Sequence, residues 1–257
     1  MNFKDLSEWW LWYNKIISTF KFNRDDDQKA ANLLSNLLKG KGLKPLNIKR
    51  LIEHKPVIVF GAGPSLKNDL IQLSKVDLFN SCVLISANGA TTALLNINKI
   101  PHIIVSDLDG RIEDLIKANE KGAYMIIHAH GDNIPALENY VPKLNRVLGT
   151  TQVEPRPYVY NFGGFTDGDR AVFLAVRFNA KIIGLAGMDL GNKIGEYSKP
   201  IVQSYEIKLM KLKFCKELLE WLSSKTTIPL YNLTSNGERI KGFKNVTPFE
   251  FSKLIKD

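Results

Sequence analysis

The sequence lacks most features that would place a protein outside the cell or across a membrane. It has only two cysteines, Cys82 and Cys215, each inside an apolar pattern, so we expect neither a disulfide framework nor a cysteine zinc site. No uncharged apolar run reaches the roughly 18 residues of a transmembrane helix, and the acidic residues within 1–8 do not fit a signal peptide. The apolar fraction of 44% is typical of a globular chain. These features predict a soluble cytoplasmic protein with no membrane partner.

The net charge of +9 is concentrated at the two ends of the chain. Residues 1–55 and 193–257 carry +5 each, whereas residues 56–192 carry −1. A nucleic-acid-binding protein concentrates its basic residues where recognition occurs, but here they lie outside the segment that holds the glycine and aspartate motifs. We therefore expect no nucleic-acid partner. The basic flanks are interpreted as solvated helix faces, with attraction of an anionic ligand as the alternative.

Hydrophobic patterning predicts an α/β fold, with a largely parallel Rossmann-like sheet, helices on both faces, and helical N-terminal and C-terminal flanks. The predicted strands are residues 57–60, 82–85, 102–105, 124–127, 158–160, 181–186 and an edge strand at 229–233. Helices are predicted at 3–20, 23–40, 166–178 and 203–223. We expect a helical segment at 1–55, a catalytic α/β core at 56–192, and a C-terminal helix and edge strand at 193–257 that complete the domain.

The N-terminal helix carries an aromatic cluster of Trp9, Trp10, Trp12 and Tyr13. Packing against the rest of the protein is the preferred interpretation of such a cluster. A stacking platform for bases is the alternative, and it would suit a non-catalytic nucleotide- or RNA-binding module.

Polar clusters follow five of the predicted strands. They are GAGPSL at 61–66, SANGA at 86–90, SDLDG at 106–110, HAHGDN at 128–133 and GMDLG at 187–191. Ligands of open α/β sheets bind beyond the carboxyl ends of the strands. The recurrence of these clusters therefore predicts one site at that edge of the sheet.

The first cluster offers a phosphate-binding loop. Gly61, Gly63 and Pro64 leave bare backbone for a phosphate to approach, and Ser65 is placed to cap the next helix. The loop is neither a dinucleotide fingerprint, because Leu66 stands where a third glycine belongs, nor a P-loop. A tight strand-to-helix turn is the alternative interpretation.

The acidic pair Asp107 and Asp109 is the sharpest motif. In an extended chain, carboxylates two residues apart point the same way, and such a pair suits Mg²⁺ bound together with substrate phosphates. A turn that caps the next helix is the alternative.

In the next cluster, HAHGDN, alternation along an extended chain would put His128, His130 and Asp132 on one side. Two histidines and an aspartate could bind a transition metal. We expect instead that Asp132 is a magnesium ligand, direct or through water. The histidines would then be phosphate donors or core residues.

The segment GGFTDGDRA at 163–171 opens a predicted helix. Thr166 and Asp169 have the spacing of a capping box, which explains those two residues structurally. The box does not explain the double glycine, Asp167 or Arg170. These residues would suit a loop that grips a charged, flat or phosphorylated ligand.

Together, the motifs in residues 56–191 resemble the archaeal-type 6-hydroxymethyl-7,8-dihydropterin pyrophosphokinases. GAGPSL alone also looks like the opening of motility-associated and sialyltransferase-like glycosyltransferases, and SDLDG with TDGDRA resembles thiamin pyrophosphokinases. The resemblance implies a diphosphotransferase of pterin cofactor biosynthesis. It would use Mg²⁺ to transfer the β,γ-pyrophosphoryl group of ATP to the hydroxymethyl oxygen of the reduced pterin, releasing AMP.

The resemblance also implies roles for the motif residues. The expected metal ligands are Asp107, Asp109 and Asp132, and the expected charge-stabilising groups are Arg170, His130 and Asn133. The expected phosphate or ribose contacts are Gly61, Gly63, Pro64, Ser65, Asn88 and Gly89. The expected pterin contacts are Thr166, Asp167 and Asp189. A thiamin pyrophosphokinase, a nucleotide-sugar glycosyltransferase and the non-catalytic binding module stay open as alternatives. The basic helical flanks could form the interface of a homo-oligomer.

Overall fold

A computed structural model describes residues 7–198 and 204–256. In this part of the chain the strands are β1 (Pro56–Phe60), β2 (Val83–Ala87), β3 (Ile103–Ser106), β4 (Tyr124–Ala129), β5 (Val147–Thr151), β6 (Val159–Tyr160), β7 (Ile182–Ala186), β8 (Leu230–Asn232) and β9 (Lys244–Asn245). The helices are α1 (Ser7–Phe20), α2 (Arg24–Leu37), α3 (Pro45–Ile52), α4 (Leu66–Ser74), α5 (Leu78–Ser81), α6 (Ala90–Asn96), α7 (Ile112–Glu120), α8 (Ile134–Tyr140), α9 (Asp167–Arg177), α10 (Tyr205–Ser223) and α11 (Pro248–Leu254).

The strands form one parallel sheet in the order β6-β5-β4-β3-β2-β1-β7-β8-β9, which confirms the predicted α/β class. The order reverses between β1 and β7, whose last residues, Phe60 and Ala186, are paired. A reversal of this kind opens a crevice beyond the carboxyl ends of the two strands. The loops after β1 and β7 therefore flank a ready-made ligand site.

Helices cover both faces of the sheet because the strands are apolar on both sides. Along β1, Val57 and Val59 pack into one core, which includes residues of α1, α2, α9 and α10, while Ile58 and Phe60 pack into another, which includes residues of α4, α6 and α11. Burial on both faces explains why the strands read as continuous apolar runs. Within the described residues, none of the helices is both long and apolar enough to span a membrane.

The structure contains two strands that were not predicted, and it places one predicted strand differently. The sequence analysis did not include β5, in which a glycine and two threonines follow Val147 and Leu148, or the short and exposed β9. The strand predicted at the edge, β8, is instead paired on both sides, with β7 and with β9. The predicted helix starts at residues 3 and 203 lie outside the described residues.

The aromatic cluster of α1 is a packing element, as preferred from the sequence. Trp9 and Tyr13 are fully buried, and the Trp9 indole N–H donates to the carbonyl oxygen of Gln152, 2.9 Å away. Trp12 packs against Trp221 of α10 with the ring centroids 5.9 Å apart. These contacts lie within the protein, which favours packing over a stacking platform as the role of these rings.

The N-terminal segment is also bound to the sheet through a buried carboxylate, Asp27 of α2. It accepts hydrogen bonds from the Tyr13 hydroxyl at 2.7 Å, the Gly131 amide at 2.8 Å and the Gln152 side chain at 2.8 Å. Gly131 follows His130 at the end of β4. The helical N-terminal segment therefore helps to hold a loop at the carboxyl edge of the sheet.

Candidate active site

A cavity of about 200 Å³ lies at the carboxyl edge of the sheet. Most of the residues singled out from the sequence line it. They are Gly61, Gly63, Pro64, Asn88, Gly89, Asp107, Asp109, His128, His130, Thr166, Asp167 and Asp189. Four others do not line it, namely Ser65, Asp132, Asn133 and Arg170. The strand-end clusters thus meet at one place, as the parallel sheet requires.

The acidic pair faces this cavity, but not for the reason predicted. The segment from Asp107 to Asp109 is not extended, since Leu108 between them has a φ of +66° in the left-handed region. That conformation is unfavourable for leucine. Burial of the Leu108 side chain and a hydrogen bond from its amide to the Ser106 hydroxyl, 2.9 Å long, hold it there. A tight turn, rather than an extended strand end, therefore brings the two carboxylates together.

Asn88, predicted to contact phosphate or ribose, bridges the two carboxylates. Its side-chain amide donates to Asp109 at 2.5 Å and to Asp107 at 3.4 Å, while its own backbone amide donates to the carbonyl oxygen of Val105 at 2.8 Å. The side-chain oxygen of Asn88 is buried and has no hydrogen-bond partner. An unpartnered buried oxygen beside two carboxylates marks a place where a cation or a donor group would be favourable.

Negative charge is crowded around this bridge. Burial would raise the pKa of Asp107, but contacts with His130, whose Nε2 is 3.5 Å from Asp107 Oδ2, and with Asp109 lower that pKa below its ordinary value. Burial, followed by the charges of Asp107 and Asp109, raises the pKa of Asp167 well above its ordinary value. The carboxyl groups of Asp107, Asp109 and Asp167 therefore lie close enough to influence one another's protonation.

The glycine loop is tied to the loop that follows β7. The Gly61 amide donates to the carbonyl oxygen of Ala186 at 2.9 Å, and the Gly63 amide donates to that of Gly187 at 2.8 Å. The Ser65 amide and hydroxyl donate to the carboxylate of Asp189, with the hydroxyl 2.9 Å from Oδ2. Asp189 thus accepts from the backbone at the start of α4, where a phosphate was expected.

Asp69, which the sequence analysis did not identify, fixes the same loops from below. It is 1% exposed and accepts hydrogen bonds from the Gly187 amide at 2.8 Å and from the Ser235 amide at 3.0 Å. Its Oδ2 also lies 2.9 Å from the Ser65 hydroxyl oxygen, whose single proton it shares with Asp189. One buried carboxylate therefore joins the loops after β1, β7 and β8. Its i+4 spacing from Ser65 on one helix was the available signal.

Replacement of Gly63 with alanine is expected to destabilise this arrangement. The added methyl group would overlap Asp189 Oδ2 and the carbonyl oxygen of Gly187. We expect the free energy of unfolding in urea to fall by about 2 kcal/mol, the usual cost of overpacking. Gly191→Ala is the control, because its methyl group would meet only ordinary contacts at 3.8 Å or more and should change stability by less than about 0.5 kcal/mol. Equal stability of the two variants would contradict the packing described here.

Arg170 lies inside the protein rather than on the cavity wall. It is 2% exposed, and its guanidinium donates to the carbonyl oxygens of Gly163 at 3.3 Å and Phe165 at 3.2 Å and contacts His128 Nε2 at 3.1 Å. Burial and the Arg170 charge lower the pKa of His128 well below its ordinary value, so His128 is neutral and accepts from Arg170. Arg170 thus positions the loop that precedes α9.

The other polar residues of the β4 loop mostly brace the backbone. The Asn133 side chain donates to the carbonyl oxygens of Asp107 and His128, at 2.8 and 2.7 Å. Asp132 is exposed, and its amide donates to His130 Nδ1 at 3.3 Å. His130 is therefore the side chain of this loop that combines a place on the cavity wall with a contact to Asp107.

At the start of α9, the predicted capping box is present, with the Asp169 carboxylate accepting from the Thr166 amide at 2.7 Å.

Several cavity residues come from segments to which the sequence analysis assigned no site role. Phe22 precedes α2, Gln152 follows β5, and Lys193 follows the β7 loop, while Lys208 and Lys211 lie on α10. The basic excess of the C-terminal flank is therefore partly directed into the cavity. This placement favours the attraction of an anionic ligand over a purely solvated role for these lysines.

The parallel sheet, with a cavity that holds an acidic pair at its strand-order reversal, defines an α/β protein with one ligand site at the carboxyl edge of the sheet. Comparison with known proteins then shows the family to which the chain belongs. A family model described as 6-hydroxymethylpterin diphosphokinase MptE-like matches residues 30–195. The chain belongs to this family, which confirms both the predicted resemblance and the prediction of a diphosphotransferase enzyme.

Three curated relatives named 6-hydroxymethyl-7,8-dihydropterin pyrophosphokinase support this membership, each 44% identical to the chain. The protein from Methanothermobacter thermautotrophicus aligns over 85% of this chain and 95% of its own, that from Methanocaldococcus jannaschii over 87% and 98%, and that from Pyrococcus furiosus over 84% and 94%. The alignments include most of the flanks as well as the core.

Among solved structures, the MAf glycosyltransferase from Magnetospirillum magneticum AMB-1 is similar in fold. It superposes with a TM-score of 0.59 at 16% sequence identity, over 91% of this chain and 41% of that protein. At this identity the similarity shows a shared fold alone. A thiamine pyrophosphokinase from Bacillus subtilis reaches a TM-score of 0.31, too low to show even that.

Proposed function

We propose that the protein transfers the pyrophosphoryl group of ATP to the hydroxymethyl oxygen of 6-hydroxymethyl-7,8-dihydropterin with the help of Mg²⁺, and releases AMP and the pterin diphosphate. The names of the three relatives support the pterin acceptor and the pyrophosphokinase reaction. The observation that carries the proposal is the acidic pair, Asp107 and Asp109, bridged by Asn88 at the cavity wall.

The residues of the pair fit Mg²⁺. Within the described residues, no three His, Cys, Asp or Glu side chains are arranged to share a metal ion, which argues against a structural zinc site with its four protein ligands. Magnesium is usually held by one or two carboxylates, with waters and substrate phosphates completing its shell. Asp107 and Asp109 would be those carboxylates, and the bound cation would neutralise charge on the phosphates. The exposed Asp132 would act at most through water.

The reaction asks the protein mainly for positioning and for charge stabilisation. The acceptor oxygen forms a bond to the β-phosphorus, the bond from that phosphorus to the oxygen shared with the α-phosphorus breaks, and AMP leaves with the electron pair while the hydroxyl proton is released. His130, which lines the cavity next to Asp107, would donate to a phosphate oxygen. Arg170 and Asn133 act indirectly, because their side chains hold the backbone of the loops that carry Asp107, His130 and Asp167.

The pterin and the rest of the nucleotide would occupy the remainder of the cavity. Asp167 and Thr166 at the start of α9 lie on its wall, and a carboxylate matches the paired N–H donors of an aminopyrimidine ring. Asp189 also lines the cavity, although its carboxylate is engaged by Ser65. Gly61, Gly63, Pro64 and Gly89 offer close approach to the ribose or the phosphates.

Product analysis tests the proposal. The protein is mixed with ATP, Mg²⁺ and 6-hydroxymethyl-7,8-dihydropterin, with thiamin in a parallel reaction and EDTA in a third, and the products are separated by chromatography. We expect AMP and a pterin diphosphate in equal amounts, and neither in the presence of EDTA. AMP formed only with thiamin would show that thiamin, and not the pterin, is the acceptor. ADP formed with a pterin monophosphate would show that the protein transfers a single phosphoryl group, which would overturn the reaction type.

A further inference from the structure

The positive charges that line the cavity come from one part of the chain. Among the described residues, the lysines and arginines on the cavity wall are Lys193, Lys208 and Lys211, and all three follow residue 192. The carboxylates Asp107 and Asp109 face the same cavity from the end of β3. The cavity is thus lined both by carboxylates at the carboxyl edge of the sheet and by lysines of the C-terminal segment.

We infer that Lys208 and Lys211 of α10 bind the polyphosphate of the donor in the cavity that the acidic pair also lines. This inference rests on the proposed function and adds residues that lie outside the segment matched by the family model. The two lysines are three positions apart, so they lie on one face of the helix. No ion pair in the described part of the chain involves either of them. Their charges are therefore available to a ligand.

Each ammonium group is directed by its surroundings. The Lys211 Nζ atom lies 5.7 Å from the ring centroid of Phe22 and 6.0 Å from that of Phe165, and both rings also line the cavity. Cation–π contacts of this kind restrict the lysine without neutralising it. The charge of Lys208 acts on Asp167, whose pKa it lowers against the larger effect of burial. Lys208 and Asp167 also line the same cavity.

Charge balance explains why a bound triphosphate would need the lysines in addition to a divalent cation. A triphosphate carries several negative charges, and the carboxylates of the sheet repel it unless a cation lies between them. One divalent cation neutralises only part of this charge. Lysines on the wall of the same cavity would neutralise the remainder and hold the transferred group in place, as cationic clamps do in phosphoryl transfer.

Binding of inorganic tripolyphosphate at a fixed, saturating concentration of Mg²⁺, measured by isothermal titration calorimetry, tests the inference without any turnover, because no acceptor is present. We compare the wild type with the double variants K208Q/K211Q and K208R/K211R and with Lys213→Gln. Lys213 is an exposed lysine of the same helix that does not line the cavity. We expect the dissociation constant of K208Q/K211Q to rise by about tenfold for each lysine removed, the usual value of a hydrogen bond to a charged group. The dissociation constants of K208R/K211R and of Lys213→Gln should stay within about threefold of the wild-type value. In free energy, a threefold change is less than half of a tenfold change, which is the effect expected for one lysine.

Each other outcome overturns the inference. Wild-type affinity in K208Q/K211Q would show that the lysines do not bind phosphate, and equal loss in the glutamine and arginine variants would show that the effect is one of packing. Absence of tripolyphosphate binding by the wild type would also show that the two lysines do not bind phosphate. The outcome is separate from that of product analysis: lysine-dependent binding without pterin diphosphate would contradict the proposed function alone, and pterin diphosphate with lysine-independent binding would contradict this inference alone.

Discussion

Replacement of Asp107 or Asp109 with asparagine is expected to lower the rate of pterin diphosphate formation by about 10³-fold, the scale of losing a group that stabilises the transition-state charge. Asparagine keeps the shape of the side chain and removes the negative charge that a magnesium ion needs. The rate is measured from AMP release at saturating ATP and pterin. The loss should appear in kcat, because the charge stabilised is that of the transferred group, and also as a higher KM for ATP, because the metal is held together with the donor phosphates.

The matched control for these variants is Asp77→Asn. Asp77 is an exposed aspartate before α5 with a φ of +53°, a conformation that asparagine also tolerates. This variant should retain the wild-type rate, and circular dichroism should show the same fold for all three. Near-wild-type rates in both Asp107→Asn and Asp109→Asn would remove the acidic pair from the mechanism.

Replacement of Asp27 with asparagine is expected to lower the free energy of unfolding by about 3 kcal/mol, the scale of leaving buried donors unpaired. The Asp27 carboxylate accepts from Tyr13, Gly131 and Gln152. An asparagine amide group would face at least one of these donors with a donor of its own. Urea denaturation followed by tryptophan fluorescence measures the change, since Trp9 packs in the same region.

Asp25→Asn is the control for this prediction, because Asp25 is exposed in the first turn of the same helix. Its loss should cost at most about 1 kcal/mol, the usual contribution of a charge near a helix N-terminus. If Asp27→Asn unfolded at the same urea concentration as Asp25→Asn, the buried carboxylate would not be what joins the N-terminal segment to the sheet.

The core of the fold could be predicted from the sequence because buried parallel strands are apolar throughout. Where that pattern fails, so does the prediction: β5 combines Val147 and Leu148 with a glycine and two threonines, and β9 is two polar residues. The residues at the carboxyl edge could be grouped for the same reason, since parallel strands all end on one side. Their convergence on one cavity follows from topology alone.

The sequence could not distinguish a side chain that faces a ligand from one that braces a loop. Arg170 and Asn133 have donors suited to phosphate, yet both donate to backbone carbonyl oxygens. Arg170 points inward because α9 packs along the sheet, and nothing in the residue type reveals that direction. Lys208 and Lys211 have visible helical spacing, but their place on the cavity wall depends on how α10 packs, which is a tertiary property.

Metal binding tests the central claim most directly, namely that Asp107 and Asp109 hold a divalent cation against the donor phosphates. Mn²⁺ replaces Mg²⁺, and α,β-methylene-ATP replaces ATP because its methylene bridge cannot be cleaved by the transfer. Electron paramagnetic resonance then measures free and bound Mn²⁺ in the wild type and in the double variant D107N/D109N. We predict tight, analogue-dependent Mn²⁺ binding in the wild type and its loss in the variant. Equal Mn²⁺ binding by the two proteins would contradict the assignment of the metal to this pair.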